Sequence, residues 1–250
     1  MKYIERSEKI LKILSGVKYL TYNQLQKKIG HSESTIRRDI YKLATKGQVI
    51  VSHGSISIGN LSSNKYLYEN TDNLIQKQKI SKKAASLVTE NDSIIINGGS
   101  TCYYMSEYIN KANVSIFTNS FILANRFVEK SSVNVSIGGG TIITNDQLIY
   151  SPHKENIIEH LYASKYFLGA KSITKIGLLE SDPLIINYDN LLMKRAQKTI
   201  VLADSSKFRF KKGCYSSIGL ENINTIITDA GVKDEDIKIL EEFKVKIIIV

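Results

Sequence analysis

From residue 75 to the C-terminus, short apolar runs alternate with longer helical stretches. Runs at Ser93-Ile94-Ile95-Ile96-Asn97, 114–117, 133–137, 165–169, 199–203, 225–228 and 245–250 are close to continuously hydrophobic. A strand with one wet face alternates apolar with polar, so a strand apolar at nearly every position is buried on both faces. Helical patterns fill the gaps at 75–88, 102–109, 121–128, 153–162, 186–196 and 233–243. This alternation implies a parallel sheet covered by helices on both faces, an α/β body. Ligands in such sheets bind outside the carboxyl ends of the strands.

The chain has 250 residues, of which 42% are hydrophobic. That is enough for a real core and excludes disorder over most of the chain. The length fits one small domain followed by a larger one. No apolar run approaches the roughly 18–20 residues that span a bilayer, so no membrane partner is expected. Met1-Lys2-Tyr3-Ile4-Glu5-Arg6 has no apolar core, and no signal peptide is expected. Two cysteines, Cys102 and Cys214, make no disulfide framework, which fits a cytoplasmic protein with reduced thiols. The four histidines show no ligand spacing, so neither metal nor cofactor is expected.

Charge divides the chain. Residues 1–60 hold 11 Lys and Arg against 4 Asp and Glu, a net +7; residues 61–250 hold 23 against 20, a net +3. A basic unit ahead of a near-neutral body suits a nucleic-acid-binding head, because phosphate contacts supply most non-specific affinity. Apolar residues at helical spacing predict a helix over 3–15, ended by Gly16. Thr21 is placed to cap a second helix with Leu25 and Ile29 on its buried face. Gly30 permits a tight turn. Ser32 caps a third helix striped by Ile36, Ile40 and Leu43, which Gly47 ends. Two helices joined by a glycine turn, the second opening on hydroxyls and carrying an Arg pair, describe a helix-turn-helix. Ser34, Thr35 and Arg38 are placed to reach base edges in the major groove, and Arg37 and Lys42 to hold phosphates. Which Arg takes which role stays open, and Asp39 is a candidate to brace one of them. Residues 48–52 and 55–58 read as a hairpin around His53-Gly54, a wing, with His53 a backbone contact. The expected division is a winged helix-turn-helix over 1–58, a polar linker over 59–74, and a sensor over 75–250.

Ser34-Thr35-Ile36-Arg37-Arg38-Asp39-Ile40, followed by His53-Gly54, resembles the DNA-binding head of the DeoR family of bacterial repressors. Ser55 stands where that family commonly has a second glycine.

Five strand ends carry small or polar residues. Asn97-Gly98-Gly99-Ser100-Thr101 leads straight into a helix. Glycines there allow close backbone approach, the helix N-terminus favours an anion, and the hydroxyls add donors. Thr118-Asn119-Ser120 precedes another helix, where N-capping and ligand contact are both open. Gly138-Gly139-Gly140-Thr141 follows a third strand. Gly169-Ala170-Lys171-Ser172 offers a lysine. Asp204-Ser205-Ser206-Lys207-Phe208 offers a lysine for an anion and a carboxylate for sugar hydroxyls.

These segments, in this order, also resemble the DeoR-family effector domain. The resemblance implies a fold related to ribose-5-phosphate isomerase and binding of a phosphorylated sugar or sugar acid. It points first to Asp204 and Lys207, next to Ser100 and Thr101, and with them to Gly98, Gly99, Thr118, Asn119, Ser120, Gly139, Lys171 and Ser206. The family often begins the first turn with Asp where this chain has Asn97. Tyr150-Ser151-Pro152, Glu159-His160-Leu161-Tyr162-Ala163 and Ala203-Asp204-Ser205-Ser206-Lys207 are similar to the branch that represses L-ascorbate utilisation.

The leading expectation is a sequence-specific repressor of a sugar or sugar-acid operon, not an enzyme. It binds double-stranded operator DNA and is released by a phosphorylated effector. Pairing heads across a palindrome implies a homodimer or homotetramer. The alternative is a sugar-phosphate isomerase or deaminase with a DNA-binding appendage. That chemistry needs a base–acid pair, for which Asp204, Glu180 and Asp182 are the candidates. A non-specific DNA-binding protein explains the basic head but not the polar strand ends.

Overall fold

The computed structural model describes residues 3–17, 19–45, 48–52, 55–59, 71–143, 148–150, 157–209 and 213–250. The chain divides into two compact units, Met1–Asp72 and Asn73–Val250.

In the first unit, α1 (Tyr3–Ser15) buries Ile10 and Leu14. After β1 (Leu20–Thr21) comes α2 (Tyr22–Ile29), which starts on a full capping box. The Thr21 hydroxyl accepts from the Gln24 N–H, and the Gln24 side chain accepts from the Thr21 N–H. Two of the four orphan donors of a helix start are satisfied this way. Gly30 closes α2 in the left-handed region at φ 78°, where a side chain would be strained. The next helix, α3 (Glu33–Thr45), turns Ile36, Ile40 and Leu43 inward, as its spacing predicts. Strands β2 (Val49–Ser52) and β3 (Ser55–Ile58) pair antiparallel, with β1 on the far side of β3. The expected wing is this pair. Ser55 sits in its ladder, opposite both Ser52 and Thr21. His53, Gly54, Gly47 and linker residues 60–70 lie outside the described residues. One apolar cluster, from Ile10 through Leu25 and Ile36 to Ile56, holds the unit together.

The second unit runs α4 (Leu74–Ala85), β4 (Ser93–Ile96), α5 (Ser100–Tyr108), β5 (Val114–Thr118), α6 (Phe121–Val128), β6 (Val133–Ile137), β7 (Thr141–Ile143), β8 (Leu148–Tyr150), β9 (Ala163–Gly169), β10 (Ser172–Thr174), β11 (Gly177–Glu180), α7 (Pro183–Met193), β12 (Ala196–Leu202), β13 (Tyr215–Ser216), β14 (Thr225–Thr228), α8 (Asp234–Glu242) and β15 (Lys246–Ile249). Among the described residues, seven strands make one parallel sheet in the order β15-β14-β12-β9-β4-β5-β6. All seven expected strands are in it; the apolar runs of β4, β5, β9, β12 and β14 form its buried centre, while the edge strands β6 and β15 are half-buried or exposed. From β4 the chain builds outward to β6, then returns to β9 on β4's other side and builds the opposite way. Connections on the two sides of β4 therefore diverge, which opens a crevice at the carboxyl ends of β4 and β9.

Two small antiparallel sheets, β7-β8 and β10-β11-β13, are additions to the sequence reading. The helix expected at 153–162 is corrected. Residues 151–156 lie outside the described residues, Ile157–His160 form one 3-10 turn, and β9 begins at Ala163.

Candidate functional site

In the first unit, α3 presents one exposed face bearing Ser34, Arg37, Arg38, Tyr41 and Lys42. Its first turn is organised by Ser32, whose hydroxyl accepts from the Thr35 N–H and meets the Ser34 and Thr35 hydroxyls at 3.1 and 2.9 Å. The two arginines differ. Arg37 is paired with Glu33 at 2.7 Å and lies over the Tyr22 ring at 4.3 Å. Arg38 is exposed and has no partner among the described residues. Lys42 lies over the Tyr3 ring at 4.8 Å. Thr21 is occupied as a cap.

The reading of Asp39 as a brace for an Arg of its own helix is corrected. Asp39 is buried and takes two hydrogen bonds from the Arg6 guanidinium of α1, so it ties α1 to α3. That bond holds the Arg6 guanidinium above its ordinary pKa. Tyr41 is missing from the sequence reading. It is 70% exposed, and its place three residues beyond Arg38 and seven beyond Ser34 was the available signal.

In the second unit, strand register brings the polar ends level. Ile96 pairs with Phe167 on one side and Thr118 on the other; Leu202 pairs with Gly169. Lys171 and Asp204 thus stand two residues past adjacent strand ends, beside the β4 turn. Gly99 is the N-cap of α5 at φ 114°. A Cβ at Gly98 would lie 2.4 Å from Leu148 Cδ2 on β8, so the leucine side chain would have to move to admit one. Ser100 and Thr101 open α5, and the Thr101 carbonyl accepts from the Ser81 hydroxyl at 2.7 Å.

Around the crevice the expected residues take distinct parts. Thr118, Asn119 and Ser120 are all buried. The Thr118 hydroxyl accepts from the Ser120 N–H, and Ser120 caps α6. Asn119 holds β8 through its carbonyl, and its buried Oδ1 has no partner. Lys171 is paired with Glu180, which also accepts from the Ser181 and Asp182 N–H groups. Asp182 caps α7. Glu180 and Asp182 are thereby engaged in holding local structure. Gly139 is exposed at the end of β6, on the sheet's edge and separated from β4 by β5; it is not brought to the crevice.

Asp204 is 1% exposed. Its Oδ1 accepts from the Asn73 amide at 2.9 Å, from the Ser206 N–H at 3.1 Å and from the Ser206 hydroxyl. Its Oδ2 is buried with no partner. Lys207, three residues on, has no ion-pair partner among the described residues. Buried polar atoms are almost always satisfied, so an unmatched carboxylate oxygen at a strand end, three residues before a lysine, has the chemistry of a half-made site.

Beneath the β4 turn lies a polar cluster that sequence reading missed. Asp189 of α7 accepts from the Tyr166 hydroxyl at 3.0 Å, from the Asn97 amide, and from the Ser217 hydroxyl at 3.4 Å. Burial pushes the Asp189 carboxyl up to about 7, with the Glu180 charge adding to the effect. Burial raises Tyr166 well above a usual phenol and lifts Cys102 to about 12, which leaves Cys102 inert. The signal was a lone carboxylate in the apolar stretch Leu184–Met193.

Two family models match the chain: the DeoR-like helix-turn-helix domain over residues 6–60 and the DeoR C terminal sensor domain over residues 72–230. The HTH-type transcriptional regulator UlaR of Shigella dysenteriae is 30% identical over 256 residues, covering 99% of each chain. The HTH-type transcriptional regulator YulB of Bacillus subtilis is 29% identical over 251 residues, covering 99% of this chain and 96% of its own. Among solved structures, ribose 5-phosphate isomerase A of Neisseria gonorrhoeae matches 55% of this chain and 54% of its own, at 19% identity and a TM-score of 0.41. That distance lends nothing to an isomerase activity. The chain belongs to the DeoR family of helix-turn-helix transcriptional regulators, a DNA-binding domain followed by a sensor domain.

Proposed function

We propose that this regulator is a repressor of a sugar or sugar-acid utilisation operon, released when a phosphorylated sugar or sugar acid binds at the carboxyl ends of β4, β9 and β12. Asp204 carries the reading. A buried carboxylate oxygen without a donor costs stability in the free protein, and a sugar hydroxyl satisfies it. Lys207 beside it neutralises a phosphate or carboxylate, and the turn Gly98-Gly99-Ser100-Thr101 receives the anion at the start of α5. Gly139 has no part in the site so drawn.

In the head, Arg38, Ser34 and Thr35 read bases while Lys42 and the latched Arg37 hold the backbone, with Thr21, Ser32 and His53 as supporting contacts. The head spans 1–58 and the sensor begins near 75, after a linker over 59–74. Two heads on a palindromic operator require a homodimer or homotetramer, and work on the chromosome of a bacterium places the protein in the cytoplasm. Release requires the effector to bind better to the conformation that fits the operator worse.

The test is retention of the protein's own upstream DNA at moderate salt, titrated with sugar phosphates including L-ascorbate 6-phosphate. One compound is expected to release the complex. Asp204→Ala is expected to hold DNA as tightly as wild type and to lose release. A variant that still responds normally removes Asp204 from the site. Turnover of any compound in the panel would revive the enzyme reading.

A further inference from the structure

Asp189 is a carboxylate kept where carboxylates are costly. Its helix, α7, packs Ile185, Tyr188 and Leu192 into the core, and Asp189 is buried among them. Among the described residues no cation pairs with it. Its partners are neutral donors: the Asn97 amide, the Tyr166 hydroxyl and the Ser217 hydroxyl. A buried ionisable group held only by neutral donors is poor for stability. Its hydrogen bonds lead instead to the β4 turn.

Asn97 is the link. Its Nδ2 donates to both Asp189 Oδ1 and Tyr166 Oη, the latter at 3.0 Å. Its Oδ1 accepts from the Gly98 N–H at 2.7 Å. Only one orientation of the amide serves both ends. Turned over, it would set an oxygen against the Asp189 oxygen and an NH2 group against the Gly98 N–H. Asp189 therefore dictates which way Asn97 points, and Asn97 dictates where the Gly98 peptide lies. Gly98 is already hemmed in by Leu148, and Gly99 follows at φ 114°. A glycine pair is otherwise the loosest link in a chain.

We propose that Asp189 is the positioning residue of the effector cradle: acting through Asn97, it fixes the Gly98-Gly99 backbone in the form that receives the ligand's anionic group. The effect on the ligand rests on the effector reading above; the effect on the backbone does not.

The experiment has a ligand-free arm and a ligand arm, both on the full chain. Hydrogen exchange is followed at the Gly98 amide and, as a control, in β12. Asp189→Ala is expected to speed exchange at Gly98 roughly tenfold, the loss of about one hydrogen bond's worth of order, with β12 unchanged. Asp189→Asn keeps an oxygen in place and is expected to restore most of the protection. In the ligand arm, calorimetry with the sugar phosphate that releases wild-type DNA is expected to show Asp189→Ala binding roughly tenfold more weakly. Asn97→Ala is expected to match it, and the double variant to be no weaker than Asn97→Ala alone. Unchanged exchange at Gly98 in Asp189→Ala, or additive losses in the double variant, would overturn the proposal. So would equal loss of protection in β12, which marks a general structural role. If Asp189→Ala does not fold, Asn97→Ala decides, and unchanged Gly98 exchange there also overturns it. If Gly98 loosens as expected but no sugar phosphate binds wild type, the effector reading fails and the positioning role stands.

Discussion

Arg37 and Arg38 are neighbours with different prospects on DNA. Arg37 is held by Glu33 and stacked on Tyr22, so part of its charge is already matched before DNA arrives. Among the described residues nothing engages the donors of Arg38. Arg38→Ala is expected to cost about 1–3 kcal/mol of operator affinity, to relax specificity at one base pair, and to leave effector affinity untouched. Competition binding against single-base operator variants checks this. A uniform loss across all variants, with a salt slope lower by about one, would reassign Arg38 to a phosphate. Asp189 makes a second residue-scale prediction. In the fold it keeps its proton to about pH 7, against 3.8 for an ordinary aspartate. Between those values the folded chain holds a proton that the unfolded chain has lost, so stability falls as pH rises from about 4 to about 7 and levels off above. Asp189→Asn is expected to lack that decline. Urea unfolding at pH 4.5, 6 and 8 tests it; a wild-type-minus-variant difference that does not change with pH would contradict it.

The elements differ in how plainly the sequence shows them. The capping box at Thr21, the glycine stop at Gly30 and the isoleucine-rich runs each carry a local cause, and the corresponding helices and strands stand where that cause puts them. β10, β11 and β13 carry no such mark. They are two to four residues long and gain their form from one another, so no window of sequence contains the reason for them. The site divides the same way. Asp204 and the Gly98 turn lie on strand ends and are legible; Asn73, Tyr166 and Asp189 join them only across 69 to 131 residues of chain. The sheet β10-β11-β13 supports the crevice through Glu180, and it depends on Gly177. That glycine has φ 117°, and a Cβ there would sit 2.2 Å from the Ile218 carbonyl oxygen. Gly177→Ala is expected to destabilise the protein by about 3 kcal/mol or more. It is also expected to weaken effector binding by disturbing Glu180 and Lys171. Thermal unfolding with calorimetry checks both, and wild-type stability in the variant would refute the first.

At the scale of the molecule, the two units divide the labour: one carries the excess positive charge, the other the crevice. A single helix reaches only a few base pairs, so specific retention calls for paired heads. Sedimentation of the saturated complex is expected to show two or four chains per operator, with half-sites spaced by whole turns of about 10 base pairs. One chain per site would break that expectation. The sheet order has its own bearing on how the protein is made. Among the described residues, every strand contact of the head lies within residues 20–58. The sensor's middle pair, by contrast, joins Ile96 to Phe167, so β4 has no neighbour on that side until about two-thirds of the chain has been made. At ~5–20 residues per second of synthesis, the DNA-binding unit is whole roughly 5 to 20 seconds before Phe167 is made, and once β4 exists its edge presents unpaired backbone N–H and C=O groups until then. Ribosome-bound chains are in that interval able to fold a reader but not a sensor, and a chain cut short there is a head without its sensor.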